Sequence, residues 1–267
     1  MPTLSLRRNF TRLLALFFVT ALGLSAGETA TTFPLDQVHP GLKGVAYTIF
    51  SGDEVEKVDL VVLGVLHDAL GPKQDVILVQ LLGEKAEHSG VVAGMSGSPV
   101  YFEGKLAGAL SLKLGVFTKE AIGGVTPIQG MLDVERDAAN PKQTDTIRNS
   151  PSAVNTGTFP PASRVALPQE FSSRTGVGAG QFLVPIETPL ISAGLYPDTI
   201  AQFSKQISGW GMSMVAGGNA EPSPEDGNLK PGDMVGVELI RGDLSIAPGC
   251  TVTAVESDGT VLACGHP

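Results

Sequence analysis

From Phe33 onward the chain alternates short apolar runs with glycine, proline and Ser-Gly-Asp clusters. The stretch FPLDQVHPGLKGVAYTIFSGDEVEKVDLVVLGVL reads as a series of strands and hairpins. The 33 glycines and 19 prolines supply the turns, and the apolar stock is Val, Leu and Ile in short runs, so a mainly β fold is expected. Strand candidates run from Val45 to Phe50, Val58 to Val65 and Val76 to Leu82. Between Ser98 and Leu114, Glu103-Gly104 separates two alternating arms, which is a hairpin signal. The segment GGVTPIQGML adds a short strand and closes this first unit, residues 28–134, near residue 134.

Residues 135–169 are polar and rich in Asn, Thr, Ser and Pro, with little hydrophobic period, so they read as a linker or a long surface excursion. The second unit, residues 170–267, opens with FLVPIETPLISAG. One short helix follows in LYPDTIAQFSKQI, where Pro197 suits a first helical turn and Ile200, Phe203 and Ile207 fall on one face. After a Gly/Pro-rich loop from Gly217 to Gly232, successive strands are expected to the end. There Cys250 and Cys264 flank TVTAVESDGTVLA, a hairpin with Ser257-Asp258-Gly259 as its turn. This folding sets the two cysteines nearly opposite one another, so a cross-strand disulfide is feasible in an oxidising compartment; two buried free thiols are the alternative.

At the N-terminus Arg7, Arg8 and Arg12 precede a largely apolar run from Leu13 to Leu24 that contains no charged residue. That run is shorter than the roughly 20 residues a membrane span needs. With Ser25-Ala26-Gly27 behind it, the pattern predicts a signal peptide, residues 1–27, cleaved near Gly27; an uncleaved anchor is the alternative. Export to the periplasm or the medium is expected either way. The net charge of −9 argues against nucleic acid or an anionic membrane as partner, because both require a basic face. Four scattered histidines and two cysteines show no metal-ligand spacing. Gly176-Val177-Gly178-Ala179-Gly180 follows no strand and reads as a flexible loop, so neither metal nor cofactor is expected.

The segment Gly94-Met95-Ser96-Gly97-Ser98-Pro99 carries the most chemistry. A nucleophilic serine needs a reachable hydroxyl, a base, and backbone N–H groups converging where an oxyanion forms. Gly94 and Gly97 free the backbone around Ser96, and the N–H groups of Gly94 and Ser96 are candidates for an oxyanion hole. A plain Gly/Ser turn between strands is the alternative.

The run GMSGSPVYFEGKLAGALSLKLGVF…AIGGVTPI, with EVEKVDLVVLGVL and GVVAGMSGSP ahead of it, resembles the SpoIVB serine peptidase family over residues 40–134. The resemblance implies a chymotrypsin-like double β-barrel and a serine endopeptidase that cleaves protein or peptide substrates through an acyl-enzyme. It assigns Ser96 as nucleophile and Ser98 to a structural turn. The family's base stands in a Gly-His pair at a strand end, matched here by Gly265-His266 in GCTVTAVESDGTVLACGHP, so the resemblance implies His266 as general base. His88 is the competitor; His39 and His67 fit it less well.

Two departures stand beside this match. The Gly-His element of the family precedes its serine element, whereas here it follows by 170 residues; triads are defined by geometry and occur in several chain orders. Where the family carries an aspartate ahead of the serine, this chain has Leu81 and Leu82, and Asp75 and Glu84 are the nearest acids. Asp75 ranks first as a third member because a polar residue opening a buried strand is unusual; a turn-capping role is its alternative, and a Ser-His dyad is the other arrangement. Because a catalytic histidine at a frayed end would be poorly held, the chain is expected to be a piece of a longer protein. The alternative function is a catalytically inert exported β-barrel that serves as a binding or scaffold module.

Overall fold

The computed structural model describes residues 31–52, 54–115, 120–139, 164–171, 180–217 and 228–265. The expected signal peptide, most of the expected linker, residues 176–179 of the glycine-rich loop, and His266 lie outside the described residues.

Six antiparallel strands close on themselves: β1 (Lys43–Thr48), β2 (Glu56–Gly71), β3 (Gln74–Leu81), β4 (Pro99–Phe102), β5 (Lys105–Leu114) and β6 (Ala121–Pro127). Their order is β4-β1-β2-β3-β6-β5, and β4 pairs again with β5, so the ring is a barrel. The cause is visible in the alternation of β2, where Val58, Leu60, Val62 and Leu66 are buried and Asp59 is exposed. All six strands feed one interior cluster, which includes Ala46, Leu60, Ile77, Val79, Phe102, Leu110 and Val125. The expected two-residue hairpin forms at Glu103 and Gly104, both with left-handed backbone (φ 51° and 77°) as the favoured turn requires.

The continuous apolar run of β3 is buried on both faces, because a second cluster lies against its other side. Val76 and Leu78 pack there with Leu112, Phe171 and Leu183. Two later strands supply that cover. β7 (Val165–Ala166) pairs with β8 (Phe182–Pro185), and β8 pairs with β5 through Leu112↔Pro185 and Leu114↔Leu183. The first unit therefore does not stop near residue 134; it takes in segments from both sides of the expected boundary at 169.

Two helices form besides the one expected in LYPDTIAQFSKQI. The helix α1 (Glu84–Ser89) contains His88, and α2 (Ile128–Ala139) follows β6 directly. Ile128, Met131 and Leu132 of α2 sit on one face and pack with Leu106, Ala254 and Leu262, tying the barrel to the C-terminal strands.

Those C-terminal strands form a five-stranded sheet: β9 (Thr188–Ala193), β10 (Met212–Ala216), β11 (Met234–Gly236), β12 (Ser245–Val255) and β13 (Val261–Ala263). The helix α3 (Pro197–Ile207) joins β9 to its parallel neighbour β10, the connection that parallel strands require. Ile207 is buried as the helical pattern predicts, whereas Phe203 is 46% exposed. β12 pairs antiparallel with β9, β11 and β13. Among the described residues the first unit closes into a barrel, while the second is a sheet with one parallel pair. The hairpin of β12 and β13 turns through Ser257-Asp258-Gly259 as expected, and Cys250 and Cys264 are joined in a disulfide with Cα atoms 5.2 Å apart.

Candidate active site

The serine loop, residues 91–98, leads from α1 into β4, and its backbone is fixed from the barrel side. The Met95 side chain is buried in the barrel interior, and its Sδ accepts the Val92 N–H at 3.5 Å. The Gly97 N–H donates to the Leu110 carbonyl at 2.8 Å, and the Leu110 N–H donates to the Ser98 carbonyl at 2.9 Å. Gly94 and Gly97 both adopt left-handed backbone, φ 90° and 94°, the conformation that glycine permits. A Cβ on Gly97 would overlap the Thr251 carbonyl oxygen and lie 2.6 Å from the Cys264 nitrogen. Only glycine lets the loop meet the second sheet this closely.

From the other side β12 holds the same loop. The Thr251 N–H donates to the Ser96 carbonyl at 2.8 Å, Thr251 Oγ1 donates to the Gly94 carbonyl at 2.9 Å, and Thr253 Oγ1 donates to the Gly97 carbonyl at 2.7 Å. Both threonines are fully buried. Sequence reasoning passed over them, although the spacing of two in GCTVTAV sets both hydroxyls on one strand face. A buried hydroxyl needs a partner, and the loop carbonyls are those partners.

Ser96 itself is 0% exposed, and its Oγ donates to the Cys264 carbonyl, 168 residues away in sequence. The Cys264 N–H donates in turn to the Thr251 carbonyl at 3.2 Å. Gly265 follows, with left-handed backbone, packed against Ala109 and Leu110 of β5. The fold thus brings the GMSGSP loop against the strand end that leads into His266, itself outside the described residues.

The remaining candidates are dispersed. Asp75 opens β3, where one carboxylate oxygen accepts the Asp68 N–H at 2.8 Å and the other lies 3.3 Å from His67 Nδ1. These contacts serve the β2–β3 hairpin, and no contact among the described residues joins Asp75 to the serine loop. His88 is exposed on α1, and His39 Nδ1 lies 3.1 Å from the Pro40 carbonyl oxygen. Ser98 is buried, with its hydroxyl donating to Thr48 Oγ1 at 2.7 Å, a bond that serves packing.

Of the two N–H groups expected in an oxyanion hole, that of Gly94 already donates to the Glu187 carbonyl at 3.3 Å. The Ser96 N–H has no partner among the described residues. The arrangement is a closed one: an oriented serine hydroxyl lies under the main chain of Cys264, beside a half-available pair of donors.

In comparisons with known proteins, no family model, no curated protein and no solved structure matches this chain.

Proposed function

We propose that this protein is an exported serine endopeptidase of the SpoIVB type, with Ser96 as nucleophile and His266 as general base. One observation carries the reading: the Ser96 hydroxyl meets the backbone of Cys264, two residues before His266. A nucleophile and base 170 residues apart in sequence would then share one seam, with the closed barrel as one half of a chymotrypsin-like pair and the β12–β13 unit as the other.

His266 takes the Ser96 proton as Oγ attacks the scissile carbonyl. The resulting oxyanion accepts the Ser96 N–H and, once it displaces the Glu187 carbonyl, the Gly94 N–H. Collapse expels the amine with the proton from His266 and leaves an acyl-enzyme, which water then hydrolyses. With Asp75 engaged in its hairpin, the reading is a Ser-His dyad.

A second reading, a catalytically inert exported barrel that binds or scaffolds, is favoured by the complete burial of Ser96 and by its hydroxyl resting on a main-chain carbonyl. A fluorophosphonate probe separates the two. The peptidase reading expects labelling that disappears in Ser96→Ala and His266→Ala and persists in Ser98→Ala. A folded wild-type protein that takes up no label under oxidising or reducing conditions would favour the binding module.

A further inference from the structure

We infer that Ala263–Gly265 forms a latch over Ser96, that the Cys250–Cys264 disulfide holds it shut, and that a dithiol reductant opens it. The inference rests on the peptidase reading only for what the uncovered serine then does, and the opening it requires is small: the Cys264 carbonyl lifts off the Ser96 hydroxyl while the strand end that leads into His266 keeps to the same seam.

The cover is identified by its contacts. The Ser96 hydroxyl donates to the Cys264 carbonyl, and the Gly97 backbone lies so close to the Cys264 nitrogen that no Cβ fits between them. While Cys264 stays there, the hydroxyl is out of reach of a substrate carbonyl. The Ser96 proton is also directed at an oxygen that cannot act as a base.

The anchoring of that cover by its own strand is weak. β13 is three residues long and meets β12 at only three register positions, with a shift between Val252 and Ala254. Cys264 adopts φ 72°, a left-handed backbone that favours glycine over cysteine. Beyond these pairings, the Cys264 N–H bond to Thr251 and the disulfide are what tie the segment to β12. The disulfide reaches Cys250, which is buried and pairs with Val235 of β11 in the middle of the sheet. The bridge therefore fastens a short, strained segment to a firmly held strand.

The two ends of the bridge differ in access. Cys250 is buried and Cys264 only partly so, which makes Cys264 the end at which attack by an incoming thiolate is expected. Its attack forms a mixed disulfide at Cys264 and releases the Cys250 thiolate. The second thiol of the reductant then displaces Cys264. The dithiol ends as a disulfide, and its two electrons and two protons appear as the two cysteine thiols.

The test compares the full chain, oxidised and after dithiothreitol treatment, with two titratable thiols confirming complete reduction. Amide exchange at Cys264 and Gly265 is expected to accelerate at least tenfold on reduction, while that of Ile77, Leu78 and Val79 in β3 stays unchanged. Fluorophosphonate labelling of Ser96 should appear only in the reduced form. A Cys250→Ala, Cys264→Ala variant should behave like the reduced protein without reductant.

Faster exchange without labelling would keep the latch and refute the peptidase; equal labelling in both redox forms would keep the peptidase and refute the latch. Unchanged exchange at Cys264 and Gly265 would also overturn it. So would loss of β3 protection in both the reduced protein and the double variant, since the bridge would then hold the whole fold rather than its cover.

Discussion

Replacing Gly97 by alanine tests whether the serine loop and β12 form one packed unit. The new methyl group incurs two penalties. At φ 94° an L-residue sits in left-handed backbone, which costs about 1–2 kcal/mol. Its Cβ then collides with the main chain of Thr251 and Cys264, atoms that cannot swing aside as a side-chain end can, adding about 1–3 kcal/mol. With a urea slope of about 3 kcal/mol per molar, the combined loss of about 2–5 kcal/mol lowers the unfolding midpoint by about 0.7–1.7 M.

Gly104→Ala is the matched control, because φ is 77° there and no atom lies within 4 Å of the added carbon. It suffers only the backbone penalty, about 0.3–0.7 M in urea. Equal midpoint shifts for the two variants, followed by fluorescence or circular dichroism, would refute the close packing of the loop on β12.

Two further outcomes are expected. Ser98→Ala strands the buried Thr48 hydroxyl and should cost about 1–3 kcal/mol in a denaturation series, most of it recovered when Thr48→Val is added; a second change that deepens the loss would show that the Ser98–Thr48 bond is not the cause. Burial, and after it the neighbouring Tyr47, raise the Tyr101 pKa above its ordinary 10.0, so the related stabilisation is complete below that value and is lost as the pH rises through the folded pKa. An alkaline absorbance titration should show one of the three tyrosines ionising last, with that step absent in Tyr101→Phe; a single step shared by all three would contradict the burial argument.

What could be read from the sequence was local. The Glu103-Gly104 hairpin, the turn at Ser257-Asp258-Gly259, the closeness of Cys250 and Cys264, and the helix from Pro197 each depend on neighbouring residues, and each is found. The partner of β8 was not legible, because FLVP carries no mark of the strand it joins; only the exposed edge of β5 decides that. The helix α2 was hidden by Gly130 and a polar second half, and it is held by Ile128, Met131 and Leu132 against residues more than a hundred positions later. At the site, glycine spacing pointed to the loop, but the buried Thr251 and Thr253 looked like ordinary strand residues until their acceptors were known. Asp75 suggested a catalytic acid because a carboxylate opens a buried strand; the nearby Asp68 N–H and His67 explain it.

The contact between Ser96 and Cys264 also sets an order of assembly. The strands β1 to β6 that close the barrel lie between residues 43 and 127, whereas the cover of Ser96 requires contacts across 168 residues. Contacts of shorter sequence separation cost less loop entropy, so the barrel is expected to form around an uncovered serine loop, with the threonines of β12, the hairpin and the bridge added afterwards. Until β12 docks, the loop carbonyls of Gly94, Ser96 and Gly97 lack the donors that Thr251 and Thr253 supply, and water is the partner open to them.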